Sequence, residues 1–180
     1  DLVVSGDWNS GQKVNVFVKD TFTGDLELID EANLDGYSSS PKISDDGRLV
    51  LFRSDNDIFL TDRLNDTIIR INEDSEGNRY DVDSYSDLSA DGTKAVFSSS
   101  DNIVNSESYQ GNSNVFVKDL TNGNVTLISE NETENTYDNH ISPDGQYVSY
   151  SVSNNITDIS SYQKIVNLET NEIFEAPGAN

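Results

Sequence analysis

His140 is the only histidine in a chain of 180 residues with no cysteine. Nucleophilic catalysis by a Ser-His-Asp triad would therefore have to run through the segment Tyr137-Asp138-Asn139-His140-Ile141. Such a triad needs a serine exposed on a sharp turn, and no Gly-x-Ser-x-Gly elbow occurs here. One histidine also cannot build the two- or three-histidine zinc sites of hydrolases, and thiolate chemistry is excluded. The expected place of His140 is a polar position at the start of an inner strand, lining a channel.

Carboxylates are the other candidate chemistry. Asp55 with Asp57, Asp81 with Asp83 and Asp87, and Glu130 with Glu132 and Glu134 are closely spaced. Calcium takes about six to eight oxygens at roughly 2.3–2.6 Å, so Asp55-Asn56-Asp57 and Asp81-Val82-Asp83 are the candidate calcium ligands, with Asp55, Asp57, Asp81 and Asp83 as donors. None of them fits the Asp-x-Asp-x-Asp-Gly loop that ends in Glu. Aromatic residues sit beside these acids: Trp8, Tyr37, Tyr80, Tyr109, Tyr137 and Tyr162. They suit stacking on a sugar or anchoring a peptide, because Tyr and Trp give contact area at low entropic cost. The competing role for each is packing between neighbouring sheets.

The elements that hold these residues repeat. Asn15-Val16-Phe17-Val18-Lys19-Asp20 returns unchanged as Asn114-Val115-Phe116-Val117-Lys118-Asp119, with a weaker copy at Asp57-Ile58-Phe59-Leu60-Thr61-Asp62. Ser-x-Asp-Gly occurs at Ser44–Gly47, Ser89–Gly92 and Ser142–Gly145, its glycines 45 and 53 residues apart. Asp-Gly between alternating apolar runs marks a tight hairpin turn. A second turn follows each Val-Phe-Val strand, at Thr23-Gly24-Asp25, Leu64-Asn65-Asp66, Thr121–Asn124 and Glu169-Thr170-Asn171. Four short antiparallel strands per roughly 40–50 residues is the pattern of a propeller blade, and no segment carries helical periodicity.

The chain is thus expected to be all-β: a single β-propeller-like domain over 1–180, with about four antiparallel four-stranded blades at about 1–30, 38–72, 84–129 and 138–176. The first blade starts at strand b and lacks its inner strand. Three closures are open: a compact ring with a three-stranded first blade, an open arc of a longer propeller, or two arcs joined as a dimer through their edges. In such blades the a–b and c–d turns leave one end of the sheet and the b–c and d–a connections the other. The second end collects the long connections 6–13, 30–37, 73–83, 100–111, 130–137 and 153–162, so any partner is expected there.

Lys and Arg number 11 against 33 Asp and Glu, a net charge of -22. Such a chain repels nucleic acid and anionic lipid, and no run approaches the ~20 apolar residues of a membrane helix. Screening salt or bound calcium would relieve the self-repulsion. Methionine is absent and the chain begins at Asp1, which points to a processed product or a piece of a longer protein.

Ser40–Arg48, Leu88–Ser99 and Asn114–Gly123 resemble the WD40-like (PD40) repeats of TolB-type β-propellers, in the variant found in large secreted bacterial proteins. That resemblance implies a secreted, cell-surface or periplasmic scaffold that binds a protein or glycan without catalysis, or else an accessory propeller of a larger enzyme. The family position before Val-Phe-Val is commonly Asp. Here it is Asn15 and Asn114, and only Asp57 keeps the carboxylate.

Overall fold

The computed structural model describes residues 2–5, 14–30, 37–73, 76–83, 85–104, 111–130, 132, 134–153 and 162–176, with 2–5 and 176 as backbone only. The chain forms two compact units, Asp1–Asn72 and Glu73–Asn180. Every element among the described residues is a strand, and the strands form four antiparallel sheets.

The first unit holds two sheets. β1 (Leu2–Ser5), β2 (Val16–Lys19) and β3 (Leu26–Leu28) form the three-stranded one, and β4 (Ser38–Ile43), β5 (Leu49–Ser54), β6 (Asp57–Asp62) and β7 (Thr67–Arg70) the four-stranded one. Val16, Val18 and Ile29 of the first sheet pack on Val50, Phe52 and Phe59 of the second. The second unit has two four-stranded sheets. β8 (Ser86–Leu88), β9 (Lys94–Ser99), β10 (Asn114–Asp119) and β11 (Val125–Leu127) form one; β12 (Asn135–Ile141), β13 (Tyr147–Ser153), β14 (Tyr162–Asn167) and β15 (Ile173–Ala176) form the other. They meet through Val96, Val115 and Val117 on one side and Ile141, Val148, Tyr150, Val152 and Val166 on the other. The fold is the β-propeller-like array of blade sheets that the repeats predict, with the inner strand missing from the first.

The turns explain why the repeat is so regular. In each Ser-x-Asp-Gly copy the serine hydroxyl donates to the aspartate at 2.6 Å and accepts the amide of the residue opening the next strand, Leu49, Lys94 or Tyr147, at 2.9–3.0 Å. The glycine amide closes the turn on the serine carbonyl, with Gly47, Gly92 and Gly145 at φ 71°, 69° and 65°. The c–d turns share a second device: Asp20, Asp62, Asp119 and Asn167 each accept backbone amides two or three residues on. Four residues after each of them the chain turns left-handed, at Gly24, Asp66, Gly123 and Asn171.

Inner strands β4 and β12 carry a bulge at the same place, after Ser39 and after Tyr137, with Ser40 and Asp138 at φ 52° and 53°. Opposite the bulge stands a buried aromatic, Phe52 or Tyr150. Phe52 stacks on Phe59, and at the matching place in the third sheet Phe97 stacks on Phe116, both at 5.9 Å. In the last sheet the cross-strand partner of Tyr150 is Lys164 instead.

Candidate functional site

At the end of the second unit where the long connections join, a cleft of about 330 Å³ is lined by Asp83, Tyr85, Ser100, Ser113, Asn135, Thr136, Tyr137 and Ser153. All the lining residues but Asp83, which lies in the connection before β8, sit where a strand starts or ends at that rim. Ser100 and Ser153 follow or close the b strands β9 and β13, Ser113 precedes β10, and Asn135–Tyr137 open β12. Strand geometry alone therefore gathers them from positions far apart in sequence.

Ser113 is the hub of the cleft. Its hydroxyl donates to Asp83 Oδ2, its amide donates to Asn135 Oδ1 at 3.1 Å, and its carbonyl accepts the Thr136 amide and hydroxyl at 3.0 and 2.9 Å. Asp83 is fixed in turn by its own amide, which donates to the Ser98 carbonyl at 2.8 Å. The two sheets are thus tied together at the cleft floor. The result is a tyrosine-lined concavity with a few oriented polar groups, of the kind that binds small groups by shape plus a few polar contacts.

Of the residues anticipated from sequence, Asp83 and Tyr137 reach this cleft. Tyr85, Ser113 and Asn135 were missed; the signal for them is their place at strand starts of one rim, which requires the sheet register. Trp8 and Tyr109 lie outside the described residues. Tyr37 is exposed and its backbone pairs with Asp55 in the first unit. Tyr80 is half-buried. Tyr162 is half-buried, with Lys164 Nζ 5.6 Å from its ring centre.

The acidic pairs hold protein groups. Asp57 accepts the Asn72 side-chain amide at 2.9 Å and faces Arg70 at 3.4 Å, while Asn72 Oδ1 accepts the buried Ile58 amide at 2.9 Å. The same latch recurs as Asn114–Ser129–Val115 in the third sheet. The position before the Val-Phe-Val motif therefore ties strand c to the end of strand d in both sheets, whether Asp or Asn stands there. Asp55 Oδ1 accepts the Tyr37 amide at 3.4 Å. Asp81 projects into solvent, 3.9 Å from Arg79. Among the described residues no group of three or more His, Cys, Asp or Glu is arranged to hold a metal ion.

His140 lies near the end of β12, past the bulge, not at the strand's start. Its Nδ1 is 3.3 Å from Asp87 Oδ2 and its Nε2 3.5 Å from Asp138 Oδ1. Among the described residues no serine hydroxyl hydrogen-bonds to either ring nitrogen. Glu132, from another anticipated cluster, forms a buried 2.5 Å pair with Lys164, which also faces Glu175 at 3.4 Å. The Tyr150 hydroxyl is buried beside Glu132, and burial first, then the Glu132 charge, pushes its phenol well above the usual tyrosine range.

No protein-family model matches the chain, and no curated protein matches it. Solved structures do. TolB from Acinetobacter baumannii superposes with a TM-score of 0.62 at 18% identity, covering 93% of this chain and 39% of that one. An oligogalacturonate lyase from Vibrio parahaemolyticus gives 0.66 at 16%, over 96% of this chain and 48% of the lyase. The β-propeller domain of the Trilobed protease from Pyrococcus furiosus gives 0.55 at 19%, over 79% and 43%. The fold is that of the TolB-like β-propellers. This chain spans less than half the length of each of these three structures.

Proposed function

We propose that this chain is a non-catalytic binding module of a secreted, cell-surface or periplasmic bacterial protein, and that it takes a protein or glycan segment at the long-connection end of its second unit. The observation that carries the reading is the cleft: two tyrosines, a carboxylate and several hydroxyl and amide groups, cross-braced by Ser113. The opposite end carries tight turns whose capping serine, aspartate and asparagine groups are bonded within the turns themselves. His140 serves as a surface partner of Asp87 and Asp138 and carries no chemistry here.

A second reading is favoured by one comparison, the protease whose propeller domain shares this fold. On that reading the same cleft docks substrate for a catalytic domain elsewhere in the parent protein. The parent gene separates the two, since a hydrolase domain beside this one supports docking and its absence supports the free-standing module.

The test of binding is a panel of oligosaccharides and unstructured peptides titrated against the 180-residue chain and its Tyr137→Ala variant. The expected result is at least one ligand class that binds the parent chain and loses affinity in the variant. Binding that is indifferent to Tyr137 overturns the site, and hydrolysis of a panel member that disappears in His140→Ala overturns the non-catalytic reading.

A further inference from the structure

Within each unit two blade sheets meet in the same way. Strand c points one set of side chains forward, Val16 and Val18 in the first sheet and Val115 and Val117 in the third, and the next sheet meets them with its back, through Phe59 in the second and Tyr150 and Val166 in the fourth. The matching forward positions of the second sheet, Ile58 and Leu60, are buried as well. The last sheet breaks the series. Its forward positions in strand c are Gln163, which is exposed, and Ile165, which is 40% exposed; Phe174, the partner of Ile165 in β15, is 47% exposed. The first sheet breaks it from the other side. Phe17 stands where Phe59 and Phe116 are buried but is only half-buried, and Leu26, which shares its side of the sheet, is 61% exposed. In the second sheet the place of Leu26 is taken by Ile68, which packs against the apolar cluster joining the two sheets.

We infer that a second copy of the chain supplies what each of these sheets lacks: the front of the last sheet seats on the back of the first sheet of another copy, face to face and not edge to edge. The occupant follows from the residue types. Ile165 stands where Val18, Leu60 and Val117 stand, and Phe17 where Phe59 stands, so a second copy offers the pairing of aliphatic and aromatic side chains that already joins the sheets of the first unit. Ser149 and Gln163 make the front partly polar, as suits a contact between chains that also exist apart. Other exposed apolar side chains, Phe22 and Leu64, sit in c–d turns and belong to neither face. The contact is heterologous, since it uses a different patch on each copy, and it closes a ring or extends as a chain according to the rotation between copies. A net charge of -22 opposes it at low ionic strength, and added salt screens that repulsion.

The test is sedimentation velocity of the 180-residue chain over a concentration series, with and without added salt. The parent chain is expected to self-associate, more strongly at high salt. Phe174→Glu disables the front and Leu26→Glu the back, so each variant alone is expected to be monomeric, with circular dichroism confirming that it folds. Mixed in equal amounts, the two variants keep one intact contact between them, the front of Leu26→Glu on the back of Phe174→Glu, and should give a 1:1 heterodimer that grows no further. Phe22→Glu removes an exposed apolar side chain outside both faces and should associate as the parent does. A parent chain that stays monomeric at every concentration and salt overturns the inference, as does a mixture of the two variants that stays monomeric. Association kept in Leu26→Glu but lost in Phe174→Glu marks a symmetric contact of two fronts and also overturns it. So does an equal loss in Phe22→Glu, which would mark general stickiness. None of these outcomes involves Tyr137, so the binding role of the cleft stands or falls separately.

Discussion

Replacing Ser89 by alanine should destabilise the second unit by about 2–3 kcal/mol. The serine is fully buried; its hydroxyl donates to Asp91 at 2.6 Å and accepts the Lys94 amide at 3.0 Å. Truncation leaves the Lys94 amide without its partner beneath the turn, a loss of about 1–3 kcal/mol, while the exposed Asp91 recovers most of its own loss from water. Ser142 makes the same two bonds, at 2.6 and 2.9 Å, but it is half-buried and its strand partner Tyr147 is exposed, so Ser142→Ala should cost only about 1 kcal/mol. The difference arises chiefly from burial, because the two shared bonds are alike and the further contacts, Gln146 amide to Ser142 and Ser89 to the Lys94 carbonyl, are both long at 3.2 Å. Urea unfolding followed by tyrosine fluorescence measures both variants in the same unit, and amide hydrogen exchange at Lys94 and Tyr147 reads the turns locally. A Ser89→Ala cost no larger than that of Ser142→Ala would refute the reasoning that buried hydroxyls in these turns carry the repeat.

Lys164→Ala should cost about 3–5 kcal/mol, since it leaves Glu132 buried without its cation, whereas Lys164→Phe combined with Glu132→Leu should come near neutral because Phe59 and Phe116 fill that place in other sheets; thermal melts compare the two. At the left-handed positions of the c–d turns, Asp66→Gly and Asn171→Gly should each stabilise by up to about 1 kcal/mol and Gly123→Ala should destabilise by a similar amount, measured by chemical unfolding. The carboxyls of Asp46 and Asp144 are held below the usual range by their serine hydroxyls and that of Asp62 by Arg48. Their folded values lie below the unfolded one, so their contribution is present above about pH 4 and is lost as pH falls through the folded values. The thermal midpoint should therefore drop steeply below about pH 4, and Asp62→Asn should flatten that drop.

The blade sheets were legible because their signals are local. Asp-Gly needs only its own left-handed glycine, and Val-Phe-Val is a short β-branched and aromatic run, buried on both faces in β6 and β10, so Ser44, Ser89, Ser142 and the strands beside them are readable from the chain itself. The latch from Asp57 to Asn72 was not, because it joins residues 15 apart that meet only once strand d has paired with strand c. Lys164 gives no local sign that it occupies an aromatic site, since its charge is met by Glu132, 32 residues earlier in the connection before β12. The bulge after Tyr137 places His140 past an irregularity that alternation cannot reveal. The cleft was legible only as an end of the sheets. Asp83 and Tyr137 stood out as an acid and an aromatic in long connections, but Tyr85, Ser113 and Asn135 join them through the packing of two sheets.

The central claim is that one end of these sheets is built from self-satisfied turns and the other binds. Amide chemical-shift mapping of the chain during titration with the tightest-binding member of the oligosaccharide and peptide panel tests it most directly. The account predicts saturable shifts at Tyr85, Ser113, Asn135 and Tyr137 with the turn glycines Gly92, Gly123 and Gly145 unmoved; shifts centred on those glycines, or spread evenly over the acidic surface, would contradict it.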